Sequence, residues 1–137
     1  MRHHRASRAI LALLAASALA ACTGSSSSPA AVGSSGPGLD LASTGLCHAL
    51  TQLPDDVPGS VRAFQNEAHD TLHTLAAMDR LDRGMAARVL EAMQRVESDI
   101  TGGPQPQPLE DDLRELLSAT DTALKALGRT PPPCSVE

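Results

Sequence analysis

The sequence predicts an all-α protein: a small up-and-down helical bundle of about four helices that follows a disordered tether. After Gly38, apolar residues recur at intervals of three and four positions, which is the spacing of one face of an α-helix. No segment shows the strict alternation of apolar and polar residues that is typical of a half-buried strand. The segments between the periodic stretches are short, which favours antiparallel packing of consecutive helices.

Residues 1–21 have the order of a secretory signal peptide. Three arginines, Arg2, Arg5 and Arg8, precede an apolar run of 13 residues that starts at Ala9. The run is too short to span a bilayer, which needs about 20 apolar residues. We therefore expect residues 1–21 to be removed. The chain then divides into this signal peptide, a segment 22–38 and a helical domain 39–137.

The signal ends in the motif Leu19-Ala20-Ala21-Cys22. This motif resembles the lipobox of bacterial lipoproteins, and the resemblance covers residues 1–22. It implies that the Cys22 thiol receives a diacylglycerol and that cleavage leaves Cys22 as the N-terminal residue. It also implies a protein anchored in the cell membrane on its extracytoplasmic side, where each buried methylene of the acyl chains contributes about 0.8 kcal/mol. The alternative is an ordinary secretory signal that happens to contain a cysteine.

The segment after Cys22 has the composition of a linker. Residues 23–38 read TGSSSSPAAVGSSGPG and consist almost wholly of Ser, Gly, Ala and Pro. Such a segment buries too little apolar surface to compensate for the entropy of ordering its backbone. We expect a disordered tether that lets the domain move on the order of 20 Å from the lipid.

Two helices are predicted in the first half of the domain. The first spans about residues 43–53, with Ser43 or Thr44 as its N-cap. The second spans about residues 58–78. Residues that suit a helix start precede the apolar stripe of this second helix: Asp55, Asp56 and Pro58. Its apolar stripe consists of Val61, Phe64, Ala68, Leu72 and Leu75.

Two further helices are predicted in the second half. The third has Asp79 or Asp82 as its N-cap and stops at Gly102-Gly103-Pro104. A continuous helix through residues 79–82 is the alternative. The fourth begins near Leu109, after a Pro/Gln-rich loop, and ends at Gly128. Acidic residues expected in its first turn are Glu110, Asp111 and Asp112.

Cys47 and Cys134 are the cysteines that remain once Cys22 carries lipid. Outside the cytoplasm the surroundings are oxidising, so an even pair of cysteines favours a disulfide. This bond would join the first helix to the C-terminal tail. Free or metal-binding thiols are the alternative.

The sharpest candidate for chemistry is the pair His69 and His73, which are four residues apart on the second helix. This spacing can place two imidazoles on one metal ion. The helical wheel puts His69 at the flank of the apolar stripe and His73 on the polar side. The pair lacks the glutamate between the histidines that HExxH hydrolases use. Two solvated histidines without a metal are the preferred interpretation, so no metal site is predicted, and a metal site at His69 and His73 is the alternative.

Methionines are a second set of possible ligands for copper(I) or haem. Met78, Met85 and Met93 lie close to or within the apolar stripes, and His48 follows Cys47 in the first helix. Methionine in such a stripe usually fills gaps in a core, so packing is the preferred interpretation of these residues. No cofactor is therefore predicted.

Charge and composition exclude some functions. Three of the 11 basic residues lie in residues 1–21 and all 16 acidic residues follow them, so the remainder has a net charge of −8. An acidic surface repels phosphate backbones, and Phe64 is the one aromatic residue available for base stacking, so we expect no nucleic-acid partner. We find no nucleophile elbow, phosphate-binding loop or Cys/His arrangement, and we expect no enzyme activity.

Two functions of different class fit these observations. The first is a non-catalytic binding or interaction module, attached to the membrane through its lipid anchor, with an envelope or extracellular protein as its partner. The second is a small metal or haem carrier that uses His69 and His73. A third ligand from another helix would favour the second function, whereas two isolated histidines would remove its support.

Overall fold

The structure, a computed structural model, describes residues 38–135 of the chain. These residues form four helices and no strand: α1 (Asp40–Gln52), α2 (three consecutive parts, Val57–Ala63, Phe64–Ala68 and His69–Ala76), α3 (Arg83–Gly102) and α4 (Pro106–Ala126). The predicted all-α bundle is therefore confirmed. The predicted signal peptide, Cys22 and nearly all of the predicted tether lie outside the described residues.

The four helices pack in a closed ring. α1 contacts α2 and α4, and α3 also contacts α2 and α4. Short loops join consecutive helices, which run antiparallel as the loop lengths predict. Ser43 Oγ donates a hydrogen bond of 2.7 Å to Asp121 Oδ1, which joins the first helix to the last. This arrangement places side chains of helices that are far apart in the sequence, such as α1 and α4, next to each other.

The apolar face of every helix points into one core. The largest fully buried hydrophobic side chains are Leu46 and Leu50 of α1, Phe64, Leu72 and Leu75 of α2, Val89 and Val96 of α3, and Leu109, Leu113, Leu116 and Leu124 of α4. Each contributes about 1.5–3 kcal/mol relative to an exposed position, so these stripes hold the bundle together. Within residues 38–135, no helix combines the length and the apolar composition that crossing a bilayer requires.

Several predicted helix ends are confirmed, and each has a local cause. Asp56 is the N-cap of α2, and its side chain accepts a hydrogen bond of 2.8 Å from the Gly59 amide. Asp82 is the N-cap of α3, so α2 and α3 are separate helices. Gly103 and Gly128 follow α3 and α4 with φ angles of 97° and 76°, which favour glycine.

Two predicted helix starts are wrong. α1 begins at Asp40 rather than at residue 43, because Leu39 and Ala42 extend its buried face, and Ser43 is an interior residue rather than the N-cap. α4 begins at Pro106 rather than near Leu109, since a proline costs nothing in a first turn, where no amide partner is needed. The acidic residues of α4 consequently lie beyond its first turn: Glu110, Asp111 and Asp112.

The middle of α2 is a π-helix, whereas the sequence pattern predicts a regular α-helix there. The π-helical part, Phe64–Ala68, lies where α1 crosses α2. A Cβ atom added to Gly45 of α1 would lie 2.8 Å from the carbonyl carbon of Glu67 and 2.9 Å from the amide nitrogen of Ala68. The two backbones therefore approach as closely as a glycine permits.

Candidate metal centre

The two histidines of α2 lie directly after the π-helical part of that helix. His69 begins the last part of α2, and His73 lies one turn further along the same face. The His69 side chain is 30% exposed, whereas His73 is exposed. Their ring centroids are 4.7 Å apart, and the rings meet edge to face at 79°. The predicted positions at the flank and on the polar side of the helix are thus confirmed.

A third possible ligand comes from α3, which packs beside α2. Glu97 Oε1 lies 2.8 Å from His69 Nε2, within hydrogen-bond distance. One ligand atom from each of His69, His73 and Glu97 can be chosen so that all lie within 4.8 Å of one another. The structure therefore does not leave the two histidines isolated. It adds an oxygen ligand from a second helix.

The His69 ring is held from several sides. Phe64, buried in the core, meets it edge to face, with ring centroids 5.7 Å apart at 84°. Glu97 contacts its Nε2 atom, while Asp70 Oδ1 lies 3.4 Å from its Nδ1 atom. A carboxylate near the second ring nitrogen is a common feature of metal-bound histidines, because it orients the ring. Packing and hydrogen bonding together restrict the orientation of this imidazole.

A recess in the protein surface borders the His69–Glu97 pair between α2 and α3. It is lined by Phe64, Gln65, His69, Glu97, Ile100 and Thr101. Two imidazole nitrogens and one carboxylate oxygen form the ligand set of many zinc sites that use three protein ligands. In such sites a fourth position is filled by water or by another molecule. The arrangement can therefore bind an ion that remains accessible from outside.

Glu97 could not be identified from the sequence alone. It lies four residues after Met93 and three before Ile100, so it borders the apolar stripe of α3 and faces the neighbouring helix. Which residue of α2 it meets depends on the register between the two helices, and no local pattern records that register. The sequence feature that points to Glu97 is its position at the edge of the apolar stripe of α3, which corresponds to the position of His69 at the edge of the stripe of α2.

A second His–Glu pair lies between α1 and α2. His48 Nδ1 is 2.9 Å from Glu67 Oε2, and both side chains are about half exposed. Among residues 38–135, only the group around His69 gathers three ligand atoms of the His, Cys, Asp or Glu type. The pair around His48 is therefore a natural comparison for the site on α2 and α3.

The remaining sulfur ligands are occupied elsewhere. Cys47 and Cys134 lie at disulfide distance, with their sulfur atoms 2.02 Å apart, as the even cysteine count predicts. Met93 is 3% exposed, and Met78 and Met85 pack against the same core, so the packing interpretation of these methionines is confirmed. Neither cysteine is part of the His69 group.

Comparison with protein-family models, with curated proteins and with solved structures finds no match for this chain.

Proposed function

We propose that this chain is a bacterial lipoprotein whose helical domain acts as a non-catalytic binding module outside the cell membrane. The observation that carries the proposal is the motif Leu19-Ala20-Ala21-Cys22 directly after a basic start and an apolar run. Cys47 and Cys134 support it, because they lie at disulfide distance and leave Cys22 as the cysteine available for lipid. A disulfide also fits the oxidising side of the membrane.

The form of the domain supports binding rather than catalysis. Its four helices fill one core with aliphatic side chains, and its polar groups form clusters on the surfaces between neighbouring helices. A surface cluster suits the docking of an ion or of an envelope protein. The acidic charge of the chain after residue 21 disfavours nucleic acid as that partner.

The lipid anchor is tested by expressing the full chain in a bacterial host and measuring the mass of its N-terminal peptide. Cleavage before Asp40 releases the peptide Cys22–Leu39, which contains a single cysteine. We expect this peptide from the membrane fraction to carry acyl chains on Cys22. In the variant Cys22→Ala we expect an unprocessed or unlipidated chain.

The double variant Cys47→Ala, Cys134→Ala is the matched control. It removes the other two cysteines and should retain both the lipid and the membrane location, because neither residue belongs to the motif. An unmodified Cys22 in the wild-type chain, or a mature protein released freely into the medium, would contradict the proposal.

The second candidate, a metal carrier, is favoured by one specific observation. Glu97 supplies the third ligand atom beside His69 and His73 that two histidines on one helix lack. Carriage of haem gains no such support, since the methionines considered for it pack against the core. The two proposals are compatible, because the metal ion can be the ligand that the lipid-anchored binding module binds.

A further inference from the structure

We propose that His69, His73 and Glu97 form a binding site for one divalent ion of the zinc class, which joins α2 to α3. This inference deepens the proposed function by naming the ligand of the binding module, and it rests on that proposal. The three side chains come from two helices that are adjacent in the ring. An ion bound there is held by both helices at once.

The distances between the ligand atoms suit such an ion after small side-chain rotations. Two ligands of a tetrahedral zinc ion, each about 2.1 Å from the metal, are about 3.4 Å apart. Here the closest pair, His69 Nε2 and Glu97 Oε1, is 2.8 Å apart, and the whole group lies within 4.8 Å. Rotation of the exposed His73 side chain can bring its ring nitrogen closer to the other two ligand atoms. Rotation of the partly exposed Glu97 side chain can lengthen the distance between its Oε1 atom and His69 Nε2.

The chemistry of the ligands selects the class of ion. Imidazole nitrogen suits zinc, copper, iron and nickel, whereas calcium and magnesium prefer sites built from oxygen alone. Glu97 brings one negative charge to an ion with two positive charges, and both imidazoles bind as neutral ligands. The fourth position faces solvent or a partner molecule, which suits capture and transfer of the ion.

The π-helical part of α2 contributes to the position of the site. Phe64–Ala68 directly precedes His69, and π-helical turns inside α-helices frequently occur at functional sites. One residue more or fewer in this turn would rotate the following helix by about 100°. His69 and His73 would then face away from α3. The π-turn thus lets α2 keep Phe64 in the core and direct both histidines toward Glu97.

The pair formed by His48 and Glu67 shows what a hydrogen-bonded His–Glu contact looks like without a second histidine. Its distance, 2.9 Å, is similar to the 2.8 Å of His69 and Glu97. The pair of His69 and Glu97 differs by the second imidazole, that of His73, which meets the His69 ring edge to face. We therefore expect the His69 group to bind a metal ion and the pair of His48 and Glu67 not to bind one.

The test is titration of the full chain, purified in detergent through a tag without histidine, with zinc chloride in a calorimeter. The imidazoles of His3 and His4 can also bind zinc in a chain that retains residues 1–21, so both are replaced by alanine unless mass measurement shows that residues 1–21 are absent. We expect about one zinc ion per chain, and a visible spectrum typical of a low-symmetry site when cobalt(II) replaces zinc. Zinc should also raise the unfolding temperature, since it binds the folded chain.

Two variants and one control test the ligand assignment. His73→Ala and Glu97→Gln should each weaken zinc binding about tenfold or more, because the first removes one of three protein ligands and the second replaces a carboxylate ligand with a neutral amide. His48→Ala, the matched control, should leave the affinity unchanged. His73 is exposed and Glu97→Gln retains the side-chain shape, so both variants should fold, which circular dichroism checks.

The inference is overturned if the wild-type chain binds zinc more weakly than about 1 mM, or if His73→Ala binds zinc as tightly as the wild type. Equal losses in His73→Ala and His48→Ala would also overturn it, since they would indicate binding to surface histidines in general. The mass of the N-terminal peptide is measured independently. A lipidated chain without zinc binding would reject this site and leave the lipoprotein proposal standing.

Discussion

Asp99 carries a carboxyl group where α3 packs against α4. One of its oxygen atoms, Oδ2, is buried and has no hydrogen-bond partner. Burial raises the pKa of Asp99 above the usual range of an aspartate, and the neighbouring carboxyl of Asp112 raises this pKa further. The folded chain therefore favours the protonated form of Asp99 more than the unfolded chain does. Such a group contributes stability below its unfolded pKa, and this contribution is lost as the pH rises through its folded pKa.

Asp99→Asn should therefore stabilise the protein near neutral pH. The amide cannot ionise, so the charged carboxyl no longer opposes folding, and we expect a small gain in the free energy of unfolding at about pH 7. The gain should disappear well below the ordinary aspartate pKa of about 3.9, where the wild-type side chain is also neutral. Urea unfolding at a series of pH values measures both effects.

The control for this prediction is Asp79→Asn, which removes the same charge from an exposed turn. It should change the stability little at either pH. A gain in Asp99→Asn that is equal at acid and neutral pH would show that ionisation of Asp99 is not its cause.

At the scale of the helices, the crossing of α1 and α2 depends on Gly45. Its position faces the backbone of the π-helical part of α2, where Glu67 and Ala68 would lie within 2.9 Å of an added Cβ atom. These neighbours are backbone atoms, which cannot rotate away as the end of a side chain can. A larger residue must therefore push the two helices apart.

Gly45→Ala should destabilise the protein by about 1–3 kcal/mol, despite the better helix propensity of alanine, because the overpacked crossing strains both backbones. Thermal or urea unfolding measures this loss. Gly102→Ala is the matched control, since Gly102 is also helical and has nothing within 4 Å of an added Cβ atom. It should be neutral or slightly stabilising, and equal effects of the two substitutions would refute the close crossing.

The helix ends show how far local pattern predicts an element. Asp56 and Asp82 are side-chain N-caps, and Gly103 and Gly128 end helices with positive φ angles, as their sequence positions indicate. These features depend on residues within one turn, so the sequence contains them. The start of α1 was misassigned because Ser43 has the chemistry of an N-cap but lies within the helix, where it donates a hydrogen bond to Asp121.

The C-terminal tail is attached to α1, at the other end of the described chain. Cys134 lies at disulfide distance from Cys47, 87 residues earlier, and Arg129 Nε lies 3.5 Å from Asp40 Oδ1. These contacts hold the end of the described chain against the first helix. A covalent link across such an interval restricts the unfolded chain, which stabilises the fold.

Replacing both residues, as in Cys47→Ala with Cys134→Ala, should lower the free energy of unfolding by roughly 2–4 kcal/mol. Urea unfolding of the oxidised wild type and of the variant measures the difference. Reductant should destabilise the wild type and have no effect on the double variant. An unchanged wild-type midpoint in reductant would show that the two sulfur atoms are not bonded in solution.

Local spacing, capping residues and the cysteine count are enough to predict the helical class, most helix ends, the candidate histidine pair and the two cysteines that face each other. These depend on short-range spacing, on capping chemistry and on an even cysteine count, all of which can be seen in the chain. Packing of the helices in the folded chain places Glu97 beside His69, introduces the π-turn before His69 and brings Gly45 against that turn. Each of these depends on the register between packed helices, which is set jointly by many distant side chains filling one core.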